Sequence, residues 1–145
     1  MKMNSRMRLL LERNRIQIPE SLEPLDIALK QIVDSGWIEV EGCFFLKAFY
    51  RGGIAEVKEA LHDNDKTGLE CAINNLYIQS IICADPYETR VDGRSILIQG
   101  IQYATSLSER LRPLGQFQII LSFSEVSAAE QIIDCSVRFH LVREG

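Results

Sequence analysis

The sequence predicts an α+β fold, with helices packed on one face of a small antiparallel sheet that includes a C-terminal β-hairpin. The first ground is a change of period. Apolar residues recur at helical spacing up to Leu111. From Phe117 they alternate, as Phe117, Ile119, Leu121 and Phe123 on one segment and Cys135, Val137, Phe139 and Leu141 on the next. The second ground is that a two-stranded ribbon is marginal alone and must lay its apolar face on helices or recruit another strand. The third is size. A chain of 145 residues, 46% apolar, supports one hydrophobic core, so residues 1–145 read as a single domain.

The elements follow in order. Leu9 to Arg15 reads as a short basic helix. Ser21 offers an N-cap for the next one, Pro24 falls in its first turn, and Leu25, Leu29, Ile32 and Val33 share a face. Gly36 suits the left-handed position that ends it. Trp37 to Val40 reads as extended and is the candidate third strand. From about Gly42 to Arg51 the spacing of Phe45, Leu46, Phe49 and Tyr50 favours a helix, while their aromatic content also suits a strand. Beyond Gly52-Gly53, Ile54, Val57 and Leu61 mark another. Thr67 then opens a helix through a capping box with Glu70, its stripe being Leu69, Ile73, Leu76, Tyr77 and Ile81. Asp85-Pro86 closes that segment. Ile96, Leu97, Ile101, Ala104, Leu107 and Leu111 form a long helix, stopped by Pro113 and Gly115. Residues 124–131 read as a polar connection between the last two strands.

Charge is unevenly spread. The net charge is −4, yet residues 1–18 hold five bases against one acid, while residues 19–92 hold fourteen acids against six bases. A net acidic chain is not built to neutralise phosphates, so neither nucleic acid nor membrane is expected as a partner. The basic N-terminal stretch is not followed by an apolar run of secretory length, which makes the cytoplasm the expected compartment. Cys43, Cys71, Cys83 and Cys135 are far apart in sequence and lack the local pairing of a zinc site. They are expected to be reduced, with no metal and no cofactor. His62, Asp63 and Asp65 lack a fixed ligand spacing. His140 shares the polar face of the last strand with Asp134, Ser136 and Arg138. Those are the ingredients of a nucleophilic triad, but positions i and i+4 on a strand lie about 13 Å apart. No catalytic centre is expected. The acidic middle offers a docking surface for a basic protein, with Glu39, Glu41, Asp63, Asp65 and Glu70 as its carboxylates and Trp37 as an aromatic anchor beside Tyr50.

Gly36-Trp37, Glu41-Gly42, the run Phe-Leu-Lys-Ala-Phe at 45–49 and Ser-Val-Arg-Phe-His-Leu-Val at 136–142 complete the picture. With its size and acidity, the chain resembles the immunity proteins of bacterial polymorphic-toxin and contact-dependent growth inhibition systems. The likeness is one of class, so no site residue transfers by position. It implies a non-enzymatic protein that binds a cognate toxin C-terminal domain, often a basic nuclease, inside the producing cell. Another protein-binding or regulatory domain, or a small enzyme using His140, are the alternatives. An exposed sheet edge would also permit a homodimer.

Overall fold

A computed structural model describes residues 2–3, 24–50, 65–82, 93–127 and 132–143. In chain order the elements are β1 (Lys2–Met3), α1 (Ile27–Asp34), β2 (Trp37–Val40), β3 (Cys43–Leu46), α2 (Lys66–Ile73), β4 (Leu76–Tyr77), α3 (Ile78–Ile82), α4 (Gly93–Leu111), β5 (Phe117–Ser127) and β6 (Ile132–Leu141). The architecture is α+β, as predicted. The basic helix at Leu9 to Arg15, the Ser21 cap, the Ile54–Leu61 helix and Asp85-Pro86 lie outside the described residues.

The alternating segments pair in antiparallel register from Phe117↔Leu141 through Phe123↔Cys135. The strands run further than expected. Residues 124–127, read as connection, continue the ladder through Glu125↔Ile133, with a register shift before Ser127↔Ile132. The sheet order is β1-β5-β6-β4. Its third antiparallel strand is Leu76–Tyr77, which pairs Leu76↔Val137 and Tyr77↔Ser136, while β1 lies parallel beside β5. Trp37–Val40 belongs to a different sheet. The single helix expected from Thr67 to Ile81 is therefore broken in two, because α2 ends at Asn74 and the chain runs extended before α3.

Helix α4 covers the odd-numbered face of the ribbon. Leu97, Ile101, Ala104, Leu107 and Leu111 share one core with Ile119, Leu121, Phe123, Cys135, Val137 and Phe139. Gly100 permits a close approach, since an added Cβ there would lie 2.6 Å from Cys135 Sγ. Burial of one apolar face per strand fixes the register, since a one-residue slip would turn all of these side chains to solvent. Phe117 and Leu141, at the ribbon's end, are half-buried. Pro113 sits in a 3-10 turn, Arg112–Leu114, where α4 stops as expected.

Helix α1 adds Leu29 and Val33 to the core. Its cap is Asp26, whose carboxylate accepts from the Ala28 N–H at 2.9 Å, and Pro24, expected in the first turn, precedes the helix. A buried amide on α4 fixes the approach to this helix. Asp26 N–H donates to Gln99 Oε1 at 2.7 Å, and Gln99 Nε2 donates to the Pro24 carbonyl at 2.8 Å. Both ends of the amide are thus satisfied, as a buried polar group requires. Gly36, with φ of +78°, ends α1 as the sequence predicts.

The helix expected from Gly42 is instead a β-hairpin. Trp37 pairs with Leu46 and Val40 with Cys43 across a two-residue turn, Glu41-Gly42. Both turn residues have positive φ, 53° and 79°, the combination a type I′ turn needs to match strand twist. The aromatic run that fits a helical face fits a strand equally well when both of its faces are covered. Leu46 joins the main core, while Phe45 and Cys43 form a smaller cluster with Val40, Tyr50, Leu69 and Ile73.

Candidate functional site

The two-residue turn dictates the hydrogen-bonding pattern of the hairpin. Val40 and Cys43 form a bonded pair, so Ile38 and Phe45 form the next one, and Glu39–Phe44 and Trp37–Leu46 are non-bonded pairs. The backbone groups of Phe44 and Leu46 therefore point away from β2. Two side chains of α2, one turn apart, meet them. Phe44 N–H donates to Glu70 Oε2 at 2.7 Å, Leu46 N–H donates to Asn74 Oδ1 at 2.8 Å, and Asn74 Nδ2 donates to the Phe44 carbonyl at 2.8 Å. Glu70 and Asn74, both 0% exposed, act as a surrogate strand.

The other oxygen of Glu70 pairs with Arg143, just beyond β6, and accepts from the Leu141 N–H at 3.4 Å. Arg143 also donates to Thr67 Oγ1 and to the Gly42 carbonyl, each at 3.1 Å. One ion pair thereby ties the hairpin tip, α2 and the end of β6. A buried carboxylate is tolerated because its charge and lone pairs are met by this guanidinium and these amides.

This geometry sorts the expected docking residues. Glu70 is buried and committed to the fold, so it is no surface carboxylate. Thr67 does not cap α2. Asp65 does, accepting from the Gly68 N–H at 2.8 Å, and it remains exposed. Trp37 is half-buried against the core, and Tyr50 is half-buried with its ring stacked on Phe45 at 5.3 Å, so neither stands free as an anchor. Asp63 lies outside the described residues. Glu39 and Glu41 are exposed, beside Ile38 at 36% exposure. The patch is not purely acidic: a Cβ at Gly42 would lie 3.2 Å from Lys66 Nζ, which places an ammonium at the hairpin tip.

The described residues with nucleophilic potential are partly or fully buried. His140 is half-buried, with Nδ1 2.9 Å from the Leu141 carbonyl, and the ladder sets Gln118 across from it. Burial pushes the Cys43 thiol pKa up, helped by Glu70 and opposed by Arg143 and Lys66. Cys71 is raised as well, again chiefly by burial. Desolvation also lifts the Tyr103 phenol far above its usual range. Among the described residues, no three of His, Cys, Asp and Glu converge as a metal set. No helix there is long and apolar enough to cross a membrane. An open cleft of about 660 Å³ lies between α1 and α4, with Lys30, Asp34, Glu109 and Arg110 on its walls and an Asp34–Arg110 ion pair among them. Its mixed charges favour no ligand class.

Sequence reasoning missed Asn74, Gln99 and Arg143, the polar residues that join distant segments. Two signals were present: a glycine at the second position of a two-residue loop, and Asn74-Asn75 interrupting an apolar stripe.

Residues 2–145 match the family described as the uncharacterized protein PM0498 family, and the chain belongs to it. No curated protein and no solved structure matches the chain.

Proposed function

For this member of the uncharacterized protein PM0498 family, we propose a non-enzymatic protein that binds and neutralises a basic, nuclease-type toxin domain in the cytoplasm of the cell that makes it. The observation that carries the reading is the β2–β3 hairpin. It presents Ile38, Glu39 and Glu41 to solvent while its inner edge is locked by Glu70 and Asn74. A surface held rigid in advance loses little entropy on binding. Exposed carboxylates attract the cationic cleft of a protein that handles nucleic acid and speed encounter. The acidic balance of residues 19–92 supports the same polarity.

The test is co-expression with the product of the adjacent upstream gene, read by growth rescue and co-purification. Rescue and a stable pair are expected. A product that is harmless, or that does not bind, sinks the proposal. Within the pair, Glu39→Lys with Glu41→Lys should lower affinity and slow association, with an effect that shrinks as salt rises. The thermal midpoint should barely move, because exposed charges contribute little to folding.

A further inference from the structure

We propose that the outer edge of β2 captures an extended, basic segment of a protein partner by strand addition. This deepens the docking reading above and rests on it. Because Glu39–Phe44 and Trp37–Leu46 are non-bonded pairs, the N–H and C=O groups of Trp37 and Glu39 point outward from the hairpin. Among the described residues β2 pairs with β3 alone. The pattern is supported at both ends: Val40 and Cys43 flank the turn, and the Lys47 N–H donates to the Gly36 carbonyl at 2.9 Å, the bonded position that alternation requires.

An unpaired edge is a ready template for another strand. The corresponding edge of β3 is already filled by Glu70 and Asn74. Asn74 and Glu70 also reach the edge of β6, at the Phe139 carbonyl and the Leu141 N–H, each at 3.4 Å. Side chains define the guest. A residue opposite Glu39 points to the same face and meets its carboxylate, and a residue opposite Ile38 lies against an exposed apolar side chain. The guest strand therefore alternates Lys or Arg with an apolar residue. A second copy of this chain fits less well, since its own β2 would bring another Glu39 to the same face.

The probe is the capped peptide Lys-Val-Lys-Val-Lys, added to the full chain at low salt. Trp37 is the one tryptophan in the chain, so its fluorescence reports the edge directly. Binding should slow amide exchange at Trp37 and Glu39 by about tenfold or more. A peptide of equal charge, N-methylated at the amides that face the edge, should not bind. Glu39→Pro removes an outward N–H without touching the β2–β3 ladder, and should abolish binding where Glu39→Gln only weakens it. Equal binding of the N-methylated peptide overturns strand addition and leaves charge attraction alone. The proposal fails as well if neither peptide binds, or if the cognate partner binds Glu39→Pro as tightly as the parent chain. Failure of the parent chain itself to bind the product of the adjacent gene is a failure of the docking reading instead. A chain that sediments as a dimer, split by Glu39→Pro, overturns the proposal in favour of a second copy.

Discussion

The β5–β6 ribbon and the β2–β3 hairpin are both antiparallel pairs, and opposite means hold them in place. The ribbon is long, and one apolar face lies under α4, so its position follows from burial along the whole ladder. The hairpin has four residues per strand and buries side chains on both faces, in two different clusters. Apolar contact alone leaves its β3 edge with unmet backbone groups. Glu70 and Asn74 meet them, while Arg143, from beyond β6, holds Glu70 and the Gly42 carbonyl of the turn. A short hairpin becomes a rigid platform only through polar ties to distant segments.

Substitutions in both regions probe that contrast, beginning with the largest effect. Phe139→Ala empties the centre of the ribbon's buried face and should cost about 3–5 kcal/mol, read by denaturant unfolding. A loss below about 1 kcal/mol would mean that α4 does not depend on that face. Arg143→Met should cost about 3 kcal/mol, because it strands the Glu70 carboxylate in the interior. The double variant Arg143→Met with Glu70→Gln should recover much of that loss, and simple additivity of the two single changes would show that the pair is uncoupled. The smallest effect belongs to the turn. Gly42→Ala forces a side chain into a left-handed conformation beside Lys66 and should cost about 1 kcal/mol, with loosened amide exchange confined to β2 and β3. Global loosening of α4 by this change would erase the distinction between the two regions.

The ribbon, the long helix and the stop at Pro113 were legible because each rests on a periodic pattern within a single segment. Phe117 to Phe123 and Cys135 to Leu141 alternate without interruption, and Leu97, Ile101, Ala104 and Leu107 keep helical spacing throughout. The run from Cys43 to Tyr50 is different. Its apolar residues are nearly continuous, which suits either a helix or a strand covered on both sides, and the local hint of a hairpin is Gly42, just ahead of the run. Leu76-Tyr77 posed the same ambiguity at the end of a helical stripe.

The candidate site divides along that line. Composition and charge order identified an acidic middle with Glu39 and Glu41 exposed near Trp37, and the sequence by itself determined the α+β class and the face on which the ribbon buries its side chains. Only the tertiary structure turned Glu70 inward, brought Arg143 to it from the far end of the chain, and moved Trp37–Val40 out of the main sheet into a hairpin whose β2 pairs with β3 alone among the described residues. The physical reason is range. Periodicity and capping act between residues a few positions apart, whereas a buried carboxylate is stable only where a cation and backbone donors meet it, and no local pattern records that meeting.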